Sequence, residues 1–171
     1  MAMAHEMEDV LGRLAVAIKA LLANNKLAAT NPSEVAITFD LGWHIREMFG
    51  NEWDVNGEYD RLGEDEKALV YPDRPKQKAT DNIRPDIIVH KINEKNNLLV
   101  VEAKLSPKDL EHPYDEWKLR GLTWQQGEYA YVVGVQLSLF MPAQRVTRCR
   151  VFVDAEISNQ WSEWLFERVP H

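Results

Sequence analysis

Three charged residues stand inside apolar runs that read as strands: Asp86 in PDIIVHKI, and Glu102 with Lys104 in LLVVEAKL. An unpartnered buried charge is expensive, so residues of this type at these positions form either a satisfied cluster or a site. Two converging carboxylates are oxygen ligands suited to Mg²⁺ or Mn²⁺, ions that keep several waters for chemistry. A lysine beside them can orient or deprotonate such a water and offset charge on a phosphate. Together the three side chains are the minimum for metal-assisted phosphodiester hydrolysis.

Their convergence depends on a hairpin. NEKNN separates the two runs as a turn. Centred near Lys95, it sets Asp86 opposite Lys104 and Ile88 opposite Glu102. Opposed residues share a face, as do residues two apart on one strand, so all three project together. A slip of one residue would send Asp86 to the other face. The plain alternative is an ion-pair cluster at a sheet edge.

The surrounding elements follow from periodicity. Residues 4–24 form an amphipathic helix with Met7, Val10, Leu11, Leu14, Ile18, Leu21 and Leu22 on one stripe. NNKLAATN is a polar break, and a second helix starts at NPSE, with Asn31 as cap, Pro32 first and Glu34 closing a capping box. Its apolar side is Ile37, Leu41, Ile45 and Met48, and Gly50 ends it. WDVNGEYDR (53–61) alternates as a half-buried strand, and 62–83 reads as a long surface loop. A helix over 113–127 presents Trp117, Leu119 and Leu122; the strands YAYVVGVQLSLF and CRVFVDA follow, then the closing helix ISNQWSEWLFERV. The order α-α-β-β-β-α-β-β-α predicts a mixed α/β (α+β) domain, with a mixed central sheet of about five strands flanked by helices.

At 171 residues, with 45% hydrophobic and 27% charged, the chain suits one domain over 1–171. No apolar run approaches the roughly 18 residues of a membrane span, and the acidic start is unlike a signal peptide. The single cysteine, Cys149, excludes an internal disulfide and points to a reducing, cytoplasmic setting. A net charge of −7 argues against a broad basic nucleic-acid surface. It does not argue against a site where a bound cation supplies the positive charge.

Pro85-Asp86, fifteen intervening residues, and then Glu102-Ala103-Lys104 resemble the signature of the PD-(D/E)XK nucleases, the fold of type II restriction enzymes and many repair nucleases. The element order from residue 32 to about 154 is similar to that family's α-β-β-β-α-β core. The resemblance divides the chain into an N-terminal helical extension (1–30), a restriction-endonuclease-like core (31–154) and a C-terminal helix (155–171). EVAITFDLGWHIREMF, NEWDVNGEYDR, RPDIIVH and LLVVEAK also resemble small bacterial proteins of this type. The resemblance implies a Mg²⁺- or Mn²⁺-dependent nuclease, with DNA ahead of RNA as partner. It implies metal binding by Asp86, Glu102 and the Ala103 carbonyl, with Lys104 catalytic and Glu34 as an added ligand. Gln125 and Tyr129 match the Gln-x-x-x-Tyr spacing some branches carry after the lysine, with Gly127 between them.

Other residues are candidates by position. Lys118 on the crossover helix, and Arg61 beside Tyr59 or Arg84 near the strands, are placed to contact phosphate. Each has a plain alternative: Glu34 as capping residue, Lys118 as a solvated helix lysine, Gln125 and Tyr129 as a helix-end amide and a packed ring. His44 and His90 lack zinc-like spacing. The tryptophans at 117, 124, 161 and 164 suit packing, and Trp161, Trp164 and Phe166 offer a self-complementary homodimer interface. Two competing functions stand beside the nuclease: a catalytically silent module that binds other proteins, and a hydrolase of small phosphorylated metabolites. The second lacks a phosphate-cradling glycine loop.

Overall fold

The computed structural model describes residues 2–58, 61, 62, 65, 66, 68–73, 82–106 and 113–171, with 2–4, 61, 62, 65 and 66 described by backbone alone. In α1 (Ala2–Leu22) every residue of the expected stripe is buried. The polar break that follows contains a short helix, α2 (Asn25–Ala29), because Asn24 accepts the Leu27 N–H at 3.0 Å and caps it. In α3 (Glu34–Phe49) the buried side is Ile37, Leu41, Ile45 and Phe49. Its cap is Ser33, not Asn31. Ser33 has the extended backbone a cap requires and accepts the Ala36 N–H at 3.2 Å, whereas Asn31 sits at φ 49°. Glu34 is therefore the first helical residue, free of the expected capping box.

The remaining elements are β1 (Asp54–Gly57), β2 (Arg61–Leu62), β3 (Asp65–Glu66), β4 (Ile87–His90), β5 (Asn97–Leu105), α4 (Pro113–Thr123), β6 (Val133–Phe140), β7 (Arg145–Val153), β8 (Glu156–Ser158) and α5 (Asn159–Phe166). A mixed six-stranded sheet runs β1-β4-β5-β6-β7-β8, flanked by helices. Its parallel pair is β5–β6, bridged by α4. Two departures from expectation concern the middle of the chain. The first strand stops at Gly57, and β2 pairs with β3 as a separate ribbon inside the expected loop. Leu69 and Ile83 are buried there and Ala68 bridges to Asn82, so apolar side chains anchor those described positions to the core.

Alternation along the strands sorts the sheet into two faces. One carries Val89, Leu99, Val101, Ala103 and Val135 in a core shared with α1, α3 and α5. The other carries Ile88, Val100 and Phe152 against Trp117, Leu119 and Leu122 of α4. Helix α4 lies close over β6: a Cβ at Gly134 would stand 2.9 Å from Thr123 Cγ2. Only glycine admits that approach, which lowers the polar edge of α4 onto β5.

The closing helix serves the fold. Trp161, Trp164 and Phe166 pack against the chain's own core, and the two indoles meet edge-on at 5.8 Å. The three remain partly exposed, so the packing accounts for part of their apolar surface. Trp164→Ala should therefore lower stability by about 2–3 kcal/mol in denaturant melts, with the mass in light scattering unchanged. A change in mass with an unaltered melt would restore the interface.

Candidate active site

The hairpin pairs Ile87 with Val101, Ile88 with Val100 and Val89 with Leu99. Extended by one row, Asp86 falls opposite Glu102 and not Lys104. The turn is displaced because Lys91 N–H bonds Asn96 O at 2.9 Å, Asn93 takes φ 63°, and the register shifts after Val89. The displacement is two residues, so parity survives and the three side chains keep one face. Asp86 Oδ2 accepts the Ala103 N–H at 2.9 Å, which ties the end of β4 to β5.

Helices α3 and α4 complete the cluster. Glu34, at the start of α3, places Oε1 3.0 Å from Lys104 Nζ and accepts the Leu105 N–H on Oε2 at 3.4 Å. From α4, Asp115 stands 3.5 Å from Lys104 and 3.3 Å from Lys118. Lys118 Nζ lies 2.7 Å from Glu102 Oε1, a close buried ion pair. Side-chain exposure falls steadily inward, from 38% at Glu34 through 19% at Lys104 to 6% at Lys118 and none at Glu102. A group entering from solvent meets Lys104 before Glu102.

Burial decides the electrostatics. Removal from water pushes the Glu102 carboxyl up to about 8; Asp86 and Asp115 add to the rise, and Lys118 opposes it. Burial also raises Asp86, against the Ala103 N–H and the two ammonium groups. For Lys104 burial works downward, but Asp115 and Glu34 outweigh it and hold the ammonium above its ordinary range. Lys118 is raised likewise: burial opposes its charge, and Glu102 and Asp115 overcome that. Glu102 and Lys118 titrate as one unit, and in that unit the carboxyl is the group that changes. Lys104, held charged, is suited to offset negative charge and not to take a proton from water.

Two residues escaped the sequence reading. Asp115 is buried, and with Lys118, Leu119 and Leu122 it lies at helical spacing on one side of α4. Gln136 is in register with Glu102 on β6 and is also buried. Lys118 itself is 5% exposed, which corrects its reading as a solvated lysine. The expected motif at 125 and 129 does not join the cluster, because α4 ends at Thr123. Gln125 donates to the Thr123 and Tyr131 carbonyls, and Tyr129 donates to Ala68 O at 2.7 Å. Burial lifts the Tyr129 phenol to about 12, as expected of a packed ring. Arg84 is exposed, Arg61 is described by backbone alone, and Tyr59 lies outside the described residues.

The implied ligand set of Asp86, Glu102, Ala103 and Glu34 is not assembled as one. Among the described residues no three carboxylate, imidazole or thiol groups gather to hold a metal ion, since the ammonium groups stand between the carboxylates. The donor chemistry still fits a hard cation. The carboxylates of Glu34, Asp86, Glu102 and Asp115 outnumber the ammonium groups of Lys104 and Lys118. Oε2 of Glu102 and Oε1 of Gln136 are buried without a hydrogen-bond partner among the described residues. Oxygen donors left in that state favour a cation over water. Compared with known proteins, the chain matches no family profile and no curated sequence.

Proposed function

We propose that the chain is a divalent-metal-dependent nuclease that hydrolyses phosphodiester bonds, with DNA ahead of RNA as substrate. The observation that carries this reading is Glu102: a fully buried carboxylate beside Asp86, with the Lys118 ammonium 2.7 Å from its Oε1. The sheet order also supports it. Leaving aside the small β2–β3 ribbon, the order α3, β1, β4, β5, α4, β6 agrees with the α-β-β-β-α-β order that the PD-(D/E)XK resemblance implies. Asp86 and Glu102 would hold Mg²⁺ or Mn²⁺, with Gln136 and Glu34 within the same polar group. When bound, the ion supplies Lewis acidity toward the phosphate and its attacking water. Lys104 stands on the solvent side, where its ammonium meets the phosphate and offsets the charge that develops in the transition state. Asp115 and Glu34 hold that ammonium in position.

The test is a thermal melt with added Mn²⁺, run beside a cleavage assay on single-stranded and duplex DNA. At about 100 times the dissociation constant, mass action stabilises the fold by about 2.7 kcal/mol, a rise of roughly 5–10 °C at this size. Glu102→Ala should lose the response. If wild type and variant both ignore Mn²⁺, the metal site is wrong.

One observation favours the silent module. Val35, Phe39 and Trp43 form an exposed stripe on α3, at 71%, 77% and 58%, beside an apolar groove of about 490 Å³ that reaches Asp86. Exposed aromatic stripes of this kind commonly mark docking surfaces. Metal-dependent cleavage by wild type decides between the two.

A further inference from the structure

We propose that Lys118 is a built-in counter-cation for Glu102 which a divalent metal ion must displace, so that this lysine sets the metal affinity of the site. The inference rests on the metal-dependent reading above. Its basis is the 2.7 Å contact between Lys118 Nζ and Glu102 Oε1, deep in the cluster, where Glu102 has no other cation as close among the described residues. A metal ion on Glu102 would place two like charges within a few Å in a poorly solvated site, so ion and ammonium exclude each other.

The displaced ammonium has somewhere to go. Asp115 Oδ1 is already 3.3 Å away, one helical turn back on α4, and the Tyr114 ring centre is 5.4 Å from Nζ. An ammonium released from Glu102 therefore has a carboxylate and a ring face already beside it. Lys104 is not equivalent: its ammonium lies on Glu34 and Asp115, nearer solvent, and need not leave Glu102. The two lysines thus divide the work, Lys104 toward the phosphate and Lys118 toward the carboxylate in the absence of metal.

The experiment titrates Mn²⁺ into wild type, Lys118→Met and Lys118→Arg, by calorimetry and by thermal melts from an EDTA baseline. Lys118→Met should melt lower in EDTA, bind Mn²⁺ at least about tenfold more tightly, and gain more from it than wild type does. Lys118→Arg keeps the charge and should bind no better than wild type. If Lys118→Met fails to fold in EDTA, Lys118→Gln, whose amide can still donate to Glu102, takes its place with the same expectation. Equal Mn²⁺ affinity in wild type and the neutral variants overturns the exchange while leaving the metal site standing. No response to Mn²⁺ in any of the proteins overturns both, and so separates the two failures.

Discussion

Lys104→Ala should reduce phosphodiester cleavage by about 10²–10⁴-fold while leaving fold and metal binding nearly intact. The ammonium is held charged by Asp115 and Glu34 and is 19% exposed, so it is available to a phosphate at the mouth of the cluster. It is not placed as a metal ligand, and its removal takes away a positive charge, which leaves cation affinity equal or slightly higher. The stability cost should be about 1 kcal/mol or less. Glu34 is half-exposed and can turn to water, and Asp115 keeps Lys118 at 3.3 Å. The assay compares the two proteins on single-stranded and duplex DNA with Mg²⁺ and then Mn²⁺, beside thermal melts. Equal cleavage would assign the activity to another site or to a contaminant. A silent module shows no cleavage to lose.

What was legible in the chain is the part that depends on parity. Asp86, Glu102 and Lys104 share a face under any even register, so a turn misplaced by two residues did no harm. The turn itself was not legible, because NEKNN offers several positions for a left-handed residue and the fold uses Asn93. Cap competition at Asn31-Pro32-Ser33 was equally open, since Asn and Ser cap about equally well and only backbone geometry chose Ser33. The inner half of the cluster was hidden for a different reason. Asp115 and Lys118 look like surface charges until α4 is seen pressed onto β6 over Gly134. A signal was present, in that both lie on the side that carries Leu119 and Leu122, and Gln136 and Ser138 interrupt VGVQLSLF with period two.

Glu102→Gln should give the opposite pairing of effects: a protein without activity that is more stable than wild type at alkaline pH. On the proposed function activity goes, because Glu102 is the carboxylate that would hold the metal, while the amide keeps the shape and can still accept from Lys118. The stability effect follows from burial. The Glu102 carboxyl is raised from an ordinary value near 4.5 to about 8 in the fold, so over that window the native state holds a proton that the unfolded chain gives up. Its contribution is complete below about pH 4.5 and is lost as pH rises through about 8. With the opposing effect of Lys118 already included in that rise, the advantage of Glu102→Gln should reach several kcal/mol by pH 9 in metal-free buffer, a difference of roughly 10 °C. The two melting curves should coincide near pH 5 and separate steadily above it. Added Mn²⁺ should close the gap for wild type alone, because the ion takes the place of the proton below about pH 8, and of the Lys118 ammonium above it, on the same buried oxygens. Parallel curves from pH 5 to 9 would show that Glu102 ionises as readily in the fold as outside it. A wild type that gains on the variant as pH rises would show that Lys118 lowers the Glu102 carboxyl more than burial raises it, and would overturn the alkaline advantage expected here.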